Sequence, residues 1–101
     1  MDAEVVHIVL FRWKPGVTPE QVDSARHALL GLREAIPGIV ELTCGPNFTE
    51  RSQGYHFGLV VRFTHRHALE EYLPHPAHRA VVESVINPIR ESSLALDYYL
   101  R

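Results

Sequence analysis

A phenol and two imidazoles stand in one short run punctuated by prolines, Tyr72-Leu73-Pro74-His75-Pro76-Ala77-His78-Arg79. A neutral imidazole can take up a proton and a phenol can donate a hydrogen bond, so the run holds the parts of an acid–base site. Proline is tolerated in the first turn of a helix, where its missing N–H has no intrahelical partner to lose. Pro76 is therefore expected to open a helix with His75 at its N-cap. His78 then falls in the first turn, where free backbone N–H groups and the positive end of the helix dipole disfavour imidazolium. The same residues also fit a plain chain turn in which His78 only hydrogen-bonds.

Further polar groups fall on apolar segments. His7 shares an alternating face with Val9 and Phe11, as either a pocket group on an apolar lining or a hydrogen-bonded core histidine. Asp97 lies in the last apolar segment and could orient a histidine, as carboxylates do at many acid–base sites. His75 and His78 are spaced i, i+3, and His65 and His67 add two imidazoles. No Asp, Glu or Cys stands at motif spacing with them, so no metal is expected. Cys44 is the sole cysteine and reads as a small packing residue. It excludes an intrachain disulfide, and a reducing cytoplasm fits best.

These groups must be held by elements that periodicity predicts. Val5 to Trp13 alternates two largely apolar faces and reads as a strand. Thr18-Pro19-Glu20-Gln21 supplies an N-cap, a proline at the first helical position and a glutamine three residues past the cap. Val22, Ala25, Leu29, Leu32 and Ile36 then form one helical stripe, which Pro37-Gly38 stops. Ile39 to Cys44 reads as a second strand ended by Gly45-Pro46, and the polar, aperiodic stretch 47–54 as a loop. Tyr55 to Phe63 is a third strand, with Phe57 and Leu59 on one face and His56 on the other. Ala68 to Leu73 and Ala77 to Ile86 are helical around Pro74, Asn87-Pro88 ends the second of them, and Ser93 to Leu100 is a closing strand. The order is β-α-β-β-α-β, an α+β ferredoxin-like sandwich spanning residues 1–101 as a single domain. Because strand faces are apolar on both sides, a second copy is the economical cover for the face that the helices leave open. Val9, Phe11, Leu42, Phe57, Leu59 and Val82 are candidate apolar walls for a small-molecule pocket between sheet and helices.

Composition narrows the partners. Hydrophobic residues make up 46% and charged residues 22% of the 101, an ordinary globular balance. Ten Lys and Arg face twelve Asp and Glu, giving a net charge of −2 with no basic stripe for nucleic-acid phosphates or an anionic membrane. The acidic start Met1-Asp2-Ala3-Glu4 is unlike a signal peptide, and no segment approaches the ~20 apolar residues of a membrane span. A small apolar or weakly acidic ligand remains.

In order along the chain, His7-Ile8-Val9-Leu10-Phe11, Lys14-Pro15-Gly16, Ile36-Pro37-Gly38-Ile39, Gly54-Tyr55, the Tyr72–His78 run and Asp97-Tyr98 resemble the stress-responsive dimeric α/β-barrel (Dabb) family. The resemblance covers nearly the whole chain. It implies a ferredoxin-like protomer that forms a homodimeric barrel. The family's best understood enzymes are similar to olivetolic acid cyclase, a cofactor-free polyketide cyclase. By that likeness His78 is implied as the base, Tyr72 as its hydrogen-bonding partner and His7 as a pocket residue; Asp97 and His75 are supporting candidates from their own places in the chain. The family's third-strand histidine is replaced by Phe57, and His56, one place earlier, points to the opposite face. The expected function is aldol-type ring closure of a poly-carbonyl substrate. The alternatives are a non-catalytic small-molecule-binding or stress-associated dimer and, third, a cofactor-independent monooxygenase or heme-degrading enzyme of the wider superfamily.

Overall fold

The structure is a computed structural model and describes residues 3–101. Strand β1 (Val5–Trp13) leads to helices α1 (Pro19–Leu30) and α2 (Leu32–Ala35), then strands β2 (Ile39–Pro46) and β3 (Phe57–Phe63). Helices α3 (Arg66–Tyr72) and α4 (Pro76–Val81) follow, α4 running into a π-turn over Val82–Ile86, and β4 (Arg90–Tyr99) closes the chain. The strands form one antiparallel sheet in the order β2-β3-β1-β4, the ferredoxin-like arrangement expected.

Local chemistry accounts for most boundaries. The Thr18 side chain accepts from the Gln21 backbone N–H at 3.2 Å while the Gln21 side chain accepts from the Thr18 N–H at 2.9 Å, so the capping box starts α1 at Pro19. The expected stripe holds, with Ala25, Leu29, Leu32 and Ile36 buried, but Gly31 divides it into two helices. β2 runs on to Pro46, and β3 begins at Phe57 rather than Tyr55. The second difference has a cause in His56, which bridges strand ends instead of joining the ladder's regular run. Its N–H donates to the Phe11 carbonyl at 2.8 Å, its own carbonyl accepts from Asn47, and its Nδ1 accepts from the Trp13 N–H at 2.9 Å.

Register assigns the two faces. Val5, His7, Val9 and Phe11 pair with Phe63, Val61, Leu59 and Phe57, all on the helix side, where Phe57, Leu59, Val61, Phe63, Leu42 and Trp13 make the core. Ile8 pairs with Val60 and Leu96, Leu10 with Leu94, and Val6 with Tyr98, on the side no helix covers. There Leu94, Leu96 and Tyr98 are 53, 59 and 47% exposed, a contiguous apolar face of the kind that marks an interface. Among the described residues no helix is long and apolar enough to cross a membrane.

The turn into β2 brings backbone against helix α3. Gly38 sits at φ 91°, and a Cβ there would lie 2.7 Å from that of Ala68. Gly38→Ala adds both left-handed strain and a methyl with no room, so it is expected to cost about 2 kcal/mol or more in denaturant unfolding. An unchanged midpoint would mean that α3 can retreat from β2.

Candidate functional site

The site is built at the turn between α3 and α4. Leu73 caps α3 with its N–H on the Leu69 carbonyl at 3.2 Å, and His75 N–H returns to the Tyr72 carbonyl at 3.1 Å. His75 is the N-cap of α4 and Pro76 its first residue, as expected, with the His75 Nδ1 accepting from the Ala77 N–H at 3.1 Å. In an unbroken helix the Leu73 carbonyl would accept from the residue at 77, or at 76 in a tighter turn. Ala77 is instead satisfied by His75, and Pro76 has no N–H. The Leu73 carbonyl is thereby free, and the His78 Nδ1 lies 2.9 Å from it.

That contact settles the His78 tautomer. A carbonyl only accepts, so Nδ1 must carry the proton, which leaves Nε2 of the neutral ring as an acceptor. Burial of the ring pulls the His78 pKa down, against an upward contribution from the Leu73 carbonyl, and His7 and His75 lower it further. The ring is held neutral, as the sequence suggested, but chiefly by desolvation. The helix dipole expected to do this is small, since α4 is only six residues long before the π-turn.

Tyr72 lies against this imidazole, ring centroids 4.3 Å apart, and edge-on to Phe63 at 5.0 Å and to His7 at 6.0 Å. It is fully buried, yet its hydroxyl has no hydrogen-bond partner among the described residues. An unpaired buried hydroxyl costs about 1–3 kcal/mol, and native proteins keep very few. Burial, with Cys44 adding to it, pushes the phenol pKa upward, so the group stays protonated and available as a donor.

His7 completes the ring cluster. Directly across the β1–β4 ladder stands Asp97, and the His7 Nδ1 and Asp97 Oδ1 are 2.5 Å apart. His7 is buried while the Asp97 side chain is 48% exposed, so the pair runs from core to surface. Nδ1 donates to the carboxylate, which fixes the ring with Nε2 turned away from Asp97.

The apolar walls divide. Val82 lines a cavity of about 220 Å³ together with Leu73, His78, Arg79, Glu83 and Asn87, and Val9 is half-buried at the edge of the core. Phe11, Leu42 and Leu59, expected as lining, are instead packed core, and Phe57, also in the core, borders only a cavity of about 370 Å³ beside Leu10 and Gly58 that touches none of His7, Tyr72 and His78. Phe11 stacks on Trp13 at 5.3 Å, and Trp13 meets Phe57 at 5.5 Å, so aromatic rings fill that end of the sheet–helix space. Periodicity placed these residues on the inward face correctly; whether an inward residue borders a cavity or another side chain depends on tertiary packing. A second cavity, of about 310 Å³, is bounded by Val5, Arg66, Leu69, Glu70, Leu73, Asp97, Tyr98 and Tyr99. A larger one, near 460 Å³, touches His75 but none of His7, Tyr72 and His78. Among the described residues no three His, Cys, Asp or Glu side chains come together as metal ligands. His65 is taken by Thr64 at 2.8 Å, and His67 is exposed beside Glu70 and Glu71.

Sequence reasoning missed the structural roles of Leu73 and Trp13 and the meeting of His7 with Asp97. The Leu73 carbonyl could have been found from the missing N–H at Pro76. The His7–Asp97 pair needed the strand register.

Residues 5–100 match the model of the stress responsive A/B barrel domain, and the chain belongs to that family. A dimeric ferredoxin-like protein of unknown function from Thermobifida fusca is 31% identical, with 99% of this chain and 93% of that one covered at a TM-score of 0.87. A dimeric protein of unknown function and ferredoxin-like fold from Bacteroides fragilis is 26% identical over 96% of each chain, TM-score 0.83. The hydroxynitrile lyase of Passiflora edulis superposes with a TM-score of 0.88 over 100% of this chain and 96% of its own. At 19% identity that likeness concerns the fold alone. No curated protein matches the chain.

The lowered His78 pKa carries a measurable sign. The unfolded chain, with histidine near 6.5, binds the proton first on acidification, so His78 makes stability fall as pH drops through about 6.5. The fall levels off once the folded ring protonates. NMR titration of the imidazole should place His78 below the ordinary histidine value, and a midpoint above it would refute the burial argument.

Proposed function

We propose that the chain is a cofactor-free acid–base enzyme of polyketide cyclase type, acting as a cytoplasmic homodimer on a small poly-carbonyl substrate. The observation that carries this reading is the His78 imidazole, locked by the Leu73 carbonyl in the tautomer that leaves Nε2 basic, beside a buried phenol with an unspent hydrogen bond. A methylene between two carbonyls would lose a proton to His78 Nε2. The enolate carbon would then attack a second carbonyl of the same molecule, forming the ring C–C bond. Tyr72 would donate to the developing oxyanion, and the alkoxide would recover the proton from His78, closing the cycle without cofactor. Asp97, through its bond to His7, would be a positioning residue, fixing that ring toward Tyr72, and His75 would act through the α4 cap.

The homodimer reading rests on the uncovered face of Ile8, Val60, Leu94, Leu96 and Tyr98 and on relatives described as dimeric. Light scattering should return twice the chain mass. Leu96→Glu, placing a charge mid-face, should give a monomer; a native monomer at micromolar concentration would remove the barrel.

Non-catalytic small-molecule binding is the second reading, favoured by the aromatic packing of Phe11, Trp13 and Phe57 where a larger ligand pocket was expected. The two readings separate at Tyr72 and His78. With a substrate in hand, His78→Ala should lower kcat by about 10²–10⁴-fold and Tyr72→Phe by about 10²-fold. Tyr72→Phe should at the same time leave the protein equally or more stable, because it deletes a buried hydroxyl with no hydrogen-bond partner among the described residues. Full turnover in His78→Ala would place the base elsewhere, with His7 the first candidate.

A further inference from the structure

Leu73 is the one residue common to the two cavities that flank the site. On one side the 310 Å³ cavity reaches Asp97, the partner of His7; on the other the 220 Å³ cavity reaches His78. The smaller lies below the ~300–1,000 Å³ typical of small-molecule sites and the larger only just within it. A substrate that contacts His78 and also the His7–Asp97 end must span the position the Leu73 side chain occupies. The residue is 47% exposed, a large apolar group left partly in water between Asp97 and His78. Its backbone is pinned at both ends, the N–H on the Leu69 carbonyl and the carbonyl by His78. Side-chain changes at 73 therefore leave the tautomer lock intact. The adjacent Tyr72 contributes a buried hydroxyl with no hydrogen-bond partner among the described residues, its ring 4.3 Å from that of His78.

We propose that Leu73 is the specificity-determining residue of this site. Its isobutyl group divides a single elongated substrate cavity, and its bulk sets the size of the group that can lie between the His78 half and the Asp97 half. The ligand class is a β-dicarbonyl compound with an apolar substituent: the carbonyls engage His78 and Tyr72, and the substituent passes Leu73 toward Leu69 and Val5. This assignment rests on the reading of His78 and Tyr72 as the acid–base pair. One methylene in an apolar pocket is worth about 10–200-fold in discrimination, so a change at 73 should be readily visible.

The test uses two soluble β-diketones, acetylacetone and the bulkier benzoylacetone, added to the native dimer while the ring-proton resonances of His7 and His78 are followed by NMR. Benzoylacetone should shift both histidines. Leu73→Ala should tighten benzoylacetone about tenfold or more relative to acetylacetone. Leu73→Trp should weaken it by a similar factor and cut its shift to one histidine, with acetylacetone and the backbone amide spectrum unchanged. If benzoylacetone shifts neither histidine in the native protein, or binds Leu73→Trp as it binds the native chain, the assignment is overturned. Deuterium exchange of the diketone methylene, run on the same samples, tests the base separately. Both shifts without accelerated exchange would uphold the partition by Leu73 and remove His78 as the base.

Discussion

The free carbonyl of Leu73 is the constraint on which the candidate site depends. It is free because the two residues that would claim it in a continuing helix cannot: one is Pro76, and the other, Ala77, already donates to His75. From that backbone accident, encoded by a histidine and a proline side by side, follow the orientation of His78, the location of its proton and the acceptor left on Nε2. The same break turns the chain so that Tyr72 ends one helix fully buried while His78 begins the next half-buried, their rings 4.3 Å apart. A straight helix would put residues six apart on different faces. The kink brings them together.

What was legible in the sequence was local. The capping box at Thr18 and Gln21, the cap at His75 and Pro76, the two-faced alternation of β1 and the element order can all be read from neighbours a few residues apart, and the fold has them. Boundaries slipped where a distant partner took over, as at His56, which gives its ring to Trp13 and so delays the start of β3. The π-turn after Val81 has no short-range signature of the kind that proline or glycine provides. The inward faces of Phe11, Leu42, Phe57 and Leu59 were evident from period-two alternation, but their packing against Trp13 and one another was not. Alternation reports which side a residue faces, and nothing about what meets it there.

The histidine–carboxylate pair shows the same limit from the other side. His7 and Asp97 are ninety positions apart, and only the β1–β4 register brings them opposite each other. A slip of one residue would turn Asp97 onto the uncovered face and carry Leu94, Leu96 and Tyr98 to the helix side. The apolar character of that face therefore also guards the polar contact. With Leu96 and Tyr98 on the uncovered side, Asp97 must face the other, where His7 stands in a buried position that needs a partner for its ring N–H. The uncovered apolar face and the His7–Asp97 contact are specified by one alternation in β4.

The distribution of polar groups across the helix side of the sheet gives the site its character. At the end holding Phe11, Trp13 and Phe57, aromatic rings close the space and supply the burial that a 101-residue chain needs. At the other end His7, Tyr72 and His78 replace apolar contacts with three rings bearing polar atoms, and one of those atoms, the Tyr72 hydroxyl, has no partner among the described residues. Phenylalanine at 72 would keep the ring packing against Phe63 and remove the cost of the hydroxyl, so stability by itself favours the residue that is absent. A chain of this size has little stability to give away. Retaining a hydroxyl there, beside an imidazole whose tautomer the backbone has fixed, is the kind of local disadvantage that folds carry where a ligand supplies the missing hydrogen bond.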